Sequence, residues 1–210
     1  MSLRKGNTLI STLKLKESGA DFSIPKVIDS DGKLINATLT SFTLPSNITD
    51  LGLGALVAAF YFNRNLSGLV NLDSLTQVSG MFALGNAFGY TNISSVSMKN
   101  LVAISGDQSL AGTFFSDTNL VSVSFPSLSI LTGAKALDGC FRNCSSLTSV
   151  SFPALTASSF GSTTNQFSDM LSRCSNVTVH FPAAIEATIS SWSDVTAGFG
   201  GTNTTVLFDL

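Results

Sequence analysis

The chain has 210 residues, of which 44 % are hydrophobic and 11 % are charged, so it is long and apolar enough to bury a core. The charged fraction is less than half the roughly 25 % of an ordinary soluble domain, and the polar surface must be built from Ser, Thr, Asn and Gly, as is common outside the cell. The net charge of −2 does not attract the phosphates of a nucleic acid, so we expect no nucleic-acid partner.

Residues 1–34 differ in pattern from the rest of the chain. They open with "MSLRKGNTLISTLKLKES", in which basic residues are not followed by an apolar run of about seven residues. We therefore expect no signal peptide in this chain. No stretch approaches the roughly eighteen apolar residues of a transmembrane helix, so we expect no membrane span. We interpret 1–34 as an N-terminal docking arm or N-cap.

From residue 39 onwards, one short segment recurs six times. Its copies are LTSFTLPSNI (39–48), LVNLDSL (69–75), ISSVSMKNL (93–101), LVSVSFPSL (120–128), LTSVSFPAL (147–155) and VTVHFPAAI (177–185). Aligned positions are separated by 28, 26, 27, 27 and 29 residues. Self-similarity at such a period predicts a stack of similar coils, each of which covers the core of its neighbour.

Each copy alternates apolar and polar residues. The first apolar column is Phe42, Val70, Val96, Val123, Val150 and Val179, and the second is Leu44, Leu72, Met98, Phe125, Phe152 and Phe181. The polar column between them is Thr43, Asn71, Ser97, Ser124, Ser151 and His180. A period of two predicts a strand with one buried face. We predict that the polar column points outward and forms the ligand-binding surface.

The segments between these copies carry apolar residues four apart. The pairs are Leu56/Phe60, Leu84/Phe88, Leu110/Phe114, Leu137/Phe141 and Phe167/Leu171. This step predicts a short helix packed over the strands. The glycine that precedes each pair is expected where the chain bends sharply. These glycines are Gly52, Gly80, Gly106, Gly133 and Gly161.

The end of the chain, residues 183–210, lacks the repeat and predicts a cap that covers the last coil. It would contain a helix over 183–192 and a closing strand over Thr205–Phe208. The predicted fold is an α/β repeat of about six coils, with a stacked parallel β-sheet on one side and short helices on the other. The predicted division is an arm (1–34), a solenoid (35–182) and a cap (183–210).

The segments "CFRNCSSLTSVSFPAL" (140–155) and "MLSRCSNVTVHFPAAI" (170–185) resemble the BspA-type leucine-rich repeats. Those repeats carry an aromatic residue or Leu, then Cys, then S-x-L-x-x-V-x-(F/I)-P. The resemblance covers about 36–190, but the first three units lack the Cys, and Asp73 and Lys99 replace the proline in two of them. It implies a right-handed leucine-rich-repeat solenoid of a surface or adhesion protein that binds macromolecules, and it implies no catalytic activity.

The segment "RKGNTLIST" is similar to the opening of some phage or prophage structural proteins. Together with the surface-like composition, this similarity favours a non-catalytic module on a phage virion, head-fibre or tail-associated, that attaches to a host surface or a protein. The alternative is a bacterial cell-surface adhesion domain. Expected partners are a protein or a surface glycan, and other virion proteins through 1–34. Long apolar runs such as 51–62 could cover the first coil or contact another subunit, so the oligomeric state stays undecided by the sequence.

Few residues indicate catalytic or metal chemistry. His180 is the single histidine and lies in the outward column, where no nucleophile motif adjoins it, so we interpret it as a surface residue. Cys140, Cys144 and Cys174 are the three cysteines. We interpret them as buried residues rather than a metal site, with Cys144 and Cys174 stacked as neighbours. We therefore expect no catalytic residue, no metal and no cofactor.

Seven N-x-S/T sequons occur, at Asn36, Asn47, Asn65, Asn92, Asn143, Asn176 and Asn203. Three of them, Asn65, Asn92 and Asn176, share the repeat position of Asn119 to within about one residue. This placement favours asparagines that close turns over asparagines that carry glycans.

Overall fold

A computed structural model describes residues 9–17, 20–28, 34–35, 39–162 and 165–210. The first three strands form an antiparallel sheet in the order β1-β2-β3. They are β1 (Leu9–Glu17), β2 (Ala20–Ile28) and β3 (Leu34–Ile35). Strand β3 spans the predicted boundary between 34 and 35, and the division of the chain into an arm, a solenoid and a cap stays a prediction.

The other strands are short and pair in parallel. They are β4 (Phe42–Thr43), β5 (Asp50–Leu51), β6 (Leu69–Asn71), β7 (Gln77–Val78), β8 (Ser95–Ser97), β9 (Ala103–Ile104), β10 (Ser122–Ser124), β11 (Ile130–Leu131), β12 (Ser149–Ser151), β13 (Thr178–Phe181) and β14 (Thr205–Phe208). Three sheets result, in the orders β4-β6-β8, β10-β12-β13-β14 and β5-β7-β9-β11. The fold therefore has parallel sheets and few helices.

The segments predicted as short helices are runs of consecutive β-turns. In one of them Ala59 N donates to Leu56 O at 3.0 Å, whereas Phe60 N donates to Ala87 O at 2.8 Å, one repeat further along the chain. Backbone N–H groups thus alternate between a partner in the same segment and a partner in the next repeat. The four-residue spacing of buried side chains was read correctly, but it reflects a four-residue turn unit rather than a helical turn.

The turn units leave a left-handed residue at every fourth position. Gly54, Ala58 and Phe62 have φ of 61°, 50° and 62°. An α-helix satisfies its N–H groups internally, whereas these turns release half of them to bind the neighbouring repeat. That difference is the physical reason why the helix prediction fails here.

Helices occur mainly near the end of the described chain. They are α1 (Glu186–Ile189), α2 (Ser193–Thr196) and the 3₁₀ helices Ala157–Ser159, Ala183–Ile185 and Gly198–Gly200. The predicted helix over 183–192 is a 3₁₀ turn followed by the single turn of α1. Strand β14 has the predicted bounds and pairs in parallel with β13, so it extends the sheet by one strand.

Three repeated glycines are required by close approach of two backbones. A Cβ on Gly80 would lie 1.9 Å from the carbonyl carbon of Gly52, and one on Gly106 would lie 2.3 Å from Gly80 O. A Cβ on Gly133 would lie 2.2 Å from Gly106 O. We predicted sharp bends that need glycine, but none of these three has a left-handed φ. Their role is to let one repeat touch the next.

Phenylalanine rings run through the core as two ladders. The rings of Phe60, Phe88, Phe114 and Phe141 stack with centroids 5.1, 5.7 and 5.7 Å apart. The rings of Phe125, Phe152, Phe181 and Phe208 stack at 5.1, 5.4 and 5.9 Å. All of these rings except that of Phe208 are buried. Each ring therefore stacks on a ring of the next repeat, and the core is continuous from repeat to repeat.

Candidate functional site

The six residues of the predicted polar column all lie in strands and none is buried. Register pairs join Thr43 to Asn71 and Asn71 to Ser97. In the second sheet, Ser151 pairs with both Ser124 and His180. Strands β8 and β10 contact each other but belong to separate sheets. The column is therefore divided into two groups of three.

A second outward row runs beside this column, and our sequence analysis missed it. Ser122, Ser149, Thr178 and Thr205 are successive register partners in β10, β12, β13 and β14. In β8, Ser95 occupies the corresponding place beside Leu69. The signal was present as the triplet Ser-Val-Ser, which recurs at 95–97, 122–124 and 149–151. The outer face of these strands is thus a double row rich in hydroxyl groups.

Only part of this face is tied by internal hydrogen bonds. Ser151 Oγ donates to Ser124 Oγ at 2.8 Å. Ser97 Oγ donates to Asp73 Oδ1 at 2.7 Å, and Asn71 Oδ1 accepts from Asp73 N at 2.9 Å. The hydroxyls of the outer row extend from a backbone that the parallel register holds in place. The face is therefore a regular set of hydrogen-bonding groups on a fixed frame.

Asp73 and Lys99 retain the turn that proline makes in other repeats. Asp73 Oδ1 accepts from Lys99 N at 2.8 Å, and Lys99 Nζ lies 3.8 Å from Asp73 Oδ2. Partial burial raises the pKa of Asp73, but the bonds from Lys99 N and the Ser97 hydroxyl, together with the Lys99 charge, outweigh it and lower the pKa overall. The two turns without proline are thus linked to each other by a carboxylate.

His180 contacts a carboxylate that the sequence did not reveal. Its Nδ1 lies 3.0 Å from Asp209 Oδ1 and 3.1 Å from Asp209 Oδ2. Asp209 follows β14 and lies 29 residues after His180. This separation of about one repeat is the only feature of the sequence that could have indicated the contact. On the other side of His180 its register partner is Ser151, whose hydroxyl donates to Ser124.

All three cysteines are buried, as predicted, and their thiols are not joined by disulfides. Cys144 Sγ donates to Phe114 O and Cys174 Sγ donates to Phe141 O, both at 3.0 Å. Each thiol therefore binds a carbonyl of the preceding repeat in the same way. Burial raises the pKa of both thiols, so both remain protonated donors at neutral pH.

The cysteine position is occupied by buried polar side chains in the earlier repeats. The residues at this position are Asn63, Thr91, Asp117, Cys144 and Cys174. Thr91 Oγ1 donates to Asp117 Oδ1 at 2.5 Å, whereas Asp117 Oδ2 has no partner within the described residues. Burial raises the pKa of Asp117 to about 8, against the smaller effect of its bonds with Thr91. Asp117 is therefore a neutral carboxylic acid at pH 7.

The sequon asparagines join successive repeats. Asn92 Nδ2 donates to Arg64 O at 2.7 Å, and Asn119 Nδ2 donates to Asn92 O at 3.3 Å. Each of these bonds spans 27 or 28 residues. We predicted that the side chains close their own turns, but Asn92 and Asn119 bind the preceding repeat instead. Asn36 lies outside the described residues.

Metal sites and membrane spans are both absent from the part of the chain that the structure describes. That part contains no cluster of three or more His, Cys, Asp or Glu side chains placed to bind a metal ion. It also contains no helix with the length and apolar character needed to cross a bilayer.

Comparison of the chain with protein-family models, with curated proteins and with solved structures found no match.

Proposed function

We propose that the protein is a non-catalytic binding module: a BspA-type leucine-rich-repeat solenoid of about six coils, which presents its strand face to a partner. The observation that carries this proposal is the register of the outward columns. Strands β8, β10, β12 and β13 each add one polar residue to each row, at the spacing of about 4.8 Å between neighbouring strands. Such a regular face binds an extended partner without having to reorganise.

The proposed partner is a protein or a surface glycan. The double row offers hydroxyl groups that can both donate and accept hydrogen bonds, and Ser122, Ser124 and Thr205 are exposed. The column Thr43, Asn71, Ser97, Ser124, Ser151 and His180 is the proposed contact surface. His180, whose Nδ1 contacts Asp209, adds an imidazole group to the polar face of the last strands.

The proposed location is the surface of a phage virion, as a head-fibre or tail-associated protein. The low charged fraction of 11 % and the resemblance of "RKGNTLIST" support this location. Residues 1–34 would dock to other virion proteins and leave the repeats exposed. The second candidate is a bacterial cell-surface adhesion domain, which the resemblance of 140–155 and 170–185 to BspA-type repeats supports.

The strand face can be tested with two pairs of arginine substitutions. Ser124→Arg with Ser151→Arg places two long cations on the face, whereas Thr118→Arg with Ser145→Arg places two at exposed turn positions. Labelled full-length protein would be measured on a glycan array and on intact bacterial cells. The first variant is expected to lose binding at least tenfold, and the second to bind like the parent. Equal binding by all three proteins would overturn the assignment of this face.

The docking role of 1–34 can be tested by light scattering. The full chain is expected to be oligomeric and a chain of residues 35–210 monomeric, with circular dichroism as the check that the shorter chain is folded. If both are monomers, 1–34 is not an assembly arm, and the cell-surface alternative becomes the better proposal.

A further inference from the structure

The turn segments present a second surface, which lies away from the strand face. Backbone bonds between repeats set its register: Phe62 N donates to Gly89 O and Tyr90 N to Phe115 O. Ser116 N donates to Arg142 O and Asn143 N to Ser172 O. These bonds place 61–62, 89–90, 115–116, 142–143 and 172–173 side by side. The aromatic strip, as we call this surface, comprises Tyr61, Phe62, Tyr90, Phe115, Arg142 and Arg173.

The rings at one end of the aromatic strip hold one another in fixed orientations. Phe62 and Tyr90 stack at 4.4 Å with an angle of 7° between their planes. Tyr61 meets both rings edge-on at 4.6 and 5.5 Å, and Phe115 meets Tyr90 edge-on at 4.9 Å. All four side chains are half-buried. The rings are thus held rigid while part of each remains accessible to a ligand.

Gly89 shapes the surface on which Tyr61 lies. A Cβ at Gly89 would lie 2.8 Å from Cε2 of the Tyr61 ring, so the glycine leaves room for the ring to cross the next repeat. Burial, and then the neighbouring Tyr90, raise the pKa of Tyr61, which keeps its phenol protonated. Within the described residues neither phenol hydroxyl has a protein hydrogen-bond partner. The strip therefore combines half-buried rings with two unpaired hydroxyls.

Two guanidinium groups continue the line at the other end. Arg142 lies over the Phe115 ring, with its Cζ 5.9 Å from the centroid, and Arg173 occupies an exposed position in the next repeat. Asp138 lies one turn unit before Arg142. Contact with the ring orients the Arg142 side chain without using its hydrogen-bond donors on a carboxylate. The strip thus changes from aromatic to basic along its length.

We propose that the aromatic strip binds an acidic oligosaccharide, one that carries uronate or sialate carboxylates. Ring faces pack against the apolar C–H faces of sugars, phenol hydroxyls bond sugar hydroxyls, and a guanidinium binds a carboxylate with two parallel hydrogen bonds. Five repeats at about 4.8 Å each give a strip of roughly 19 Å, long enough for several sugars.

The test measures binding of full-length protein to an array of uronate- and sialate-containing oligosaccharides beside neutral ones of matched length. Arg142→Gln keeps a polar side chain with hydrogen-bond donors but shortens it and removes its charge. It is expected to weaken binding of acidic members at least tenfold. Tyr90→Phe keeps the ring and removes one hydroxyl, and should weaken binding by a smaller factor.

Lys135→Gln is the matched control, because Lys135 is an exposed cation outside the aromatic strip. It should bind like the parent, and thermal unfolding checks that every variant is folded. The proposal is overturned if no acidic member binds, if neutral members bind equally well, or if Lys135→Gln and Arg142→Gln lose binding alike. The arginine pair that tests the strand face leaves the strip intact, so the two proposals fail independently.

Discussion

The two halves of the repeat region share one backbone plan and fill it with different side chains. In residues 118–210, four strands form a continuous sheet, β10-β12-β13-β14, and Phe125, Phe152 and Phe181 stack behind it. In residues 39–117, the corresponding column is Leu44, Leu72 and Met98. The cysteine position of the second half, as at Cys144, is filled in the first half by Asn63, Thr91 and Asp117.

The difference shows which parts of the repeat are indispensable. Bonds between backbones, such as Phe60 N to Ala87 O and Phe141 N to Met170 O, occur in both halves. The turn at Asp73 keeps its place by hydrogen bonds where later repeats use proline. The backbone contacts are therefore common to all repeats, whereas the stacked rings of Phe125, Phe152 and Phe181 and the buried thiols are features of the second half.

The largest effect should come from breaking the backbone contact itself. Gly106→Ala would place a Cβ 2.3 Å from Gly80 O, whereas Gly161→Ala would place one 3.4 Å from Thr132. We expect Gly106→Ala to destabilise the fold by more than about 4 kcal/mol or to prevent folding, and Gly161→Ala to change it by less than about 1 kcal/mol. Urea unfolding measures both. Similar losses in the two variants would show that close backbone approach is not the limiting contact.

A smaller loss of stability should distinguish the core of the second half from that of the first half. Phe152→Ala removes a ring that stacks on Phe125 and Phe181 and should cost about 3–5 kcal/mol. Met98→Ala, at the corresponding position of the first half, should cost about 1 kcal/mol less, because it breaks no ring pair. Both are read from urea unfolding of the full chain. An equal or larger loss in Met98→Ala would mean that the ring ladder adds nothing beyond buried area.

The smallest effect concerns the buried acid of the first half. In the unfolded chain the Asp117 carboxyl has its ordinary pKa of 3.8, whereas burial in the folded chain raises the pKa to about 8. The free energy of unfolding should therefore fall as pH rises through this window, by at most about 1.4 kcal/mol per pH unit, and Asp117 adds no slope below it.

Asp117→Asn removes this titration, so its free energy of unfolding should stay level across the pH range in which that of the parent falls. Urea unfolding at pH 5, 7 and 9 measures the slope in both proteins. Cys144→Ser is the control, because it alters the same column in the second half without adding an acid. A slope that survives in Asp117→Asn would assign the pH dependence to another group.

The period-two columns predicted the strands well, because alternation in a short run has one structural solution. The four-residue step did not predict the turn segments, because an α-helix and a run of β-turns both bury every fourth residue. Glycine or asparagine at the left-handed positions, as at Gly54, Asn86 and Gly112, was the signal that separates them. Within the site, Asp209 was missed because its contact with His180 depends on the register of the last strand.

The alternating N–H groups of the turn segments also bear on how the molecule responds to force. Backbone hydrogen bonds join each repeat to the next. We expect tension between the two ends of the chain to act on each of these interfaces in turn. Each interface can open while the others stay closed. We therefore expect the chain to extend under load by the release of repeats from one end.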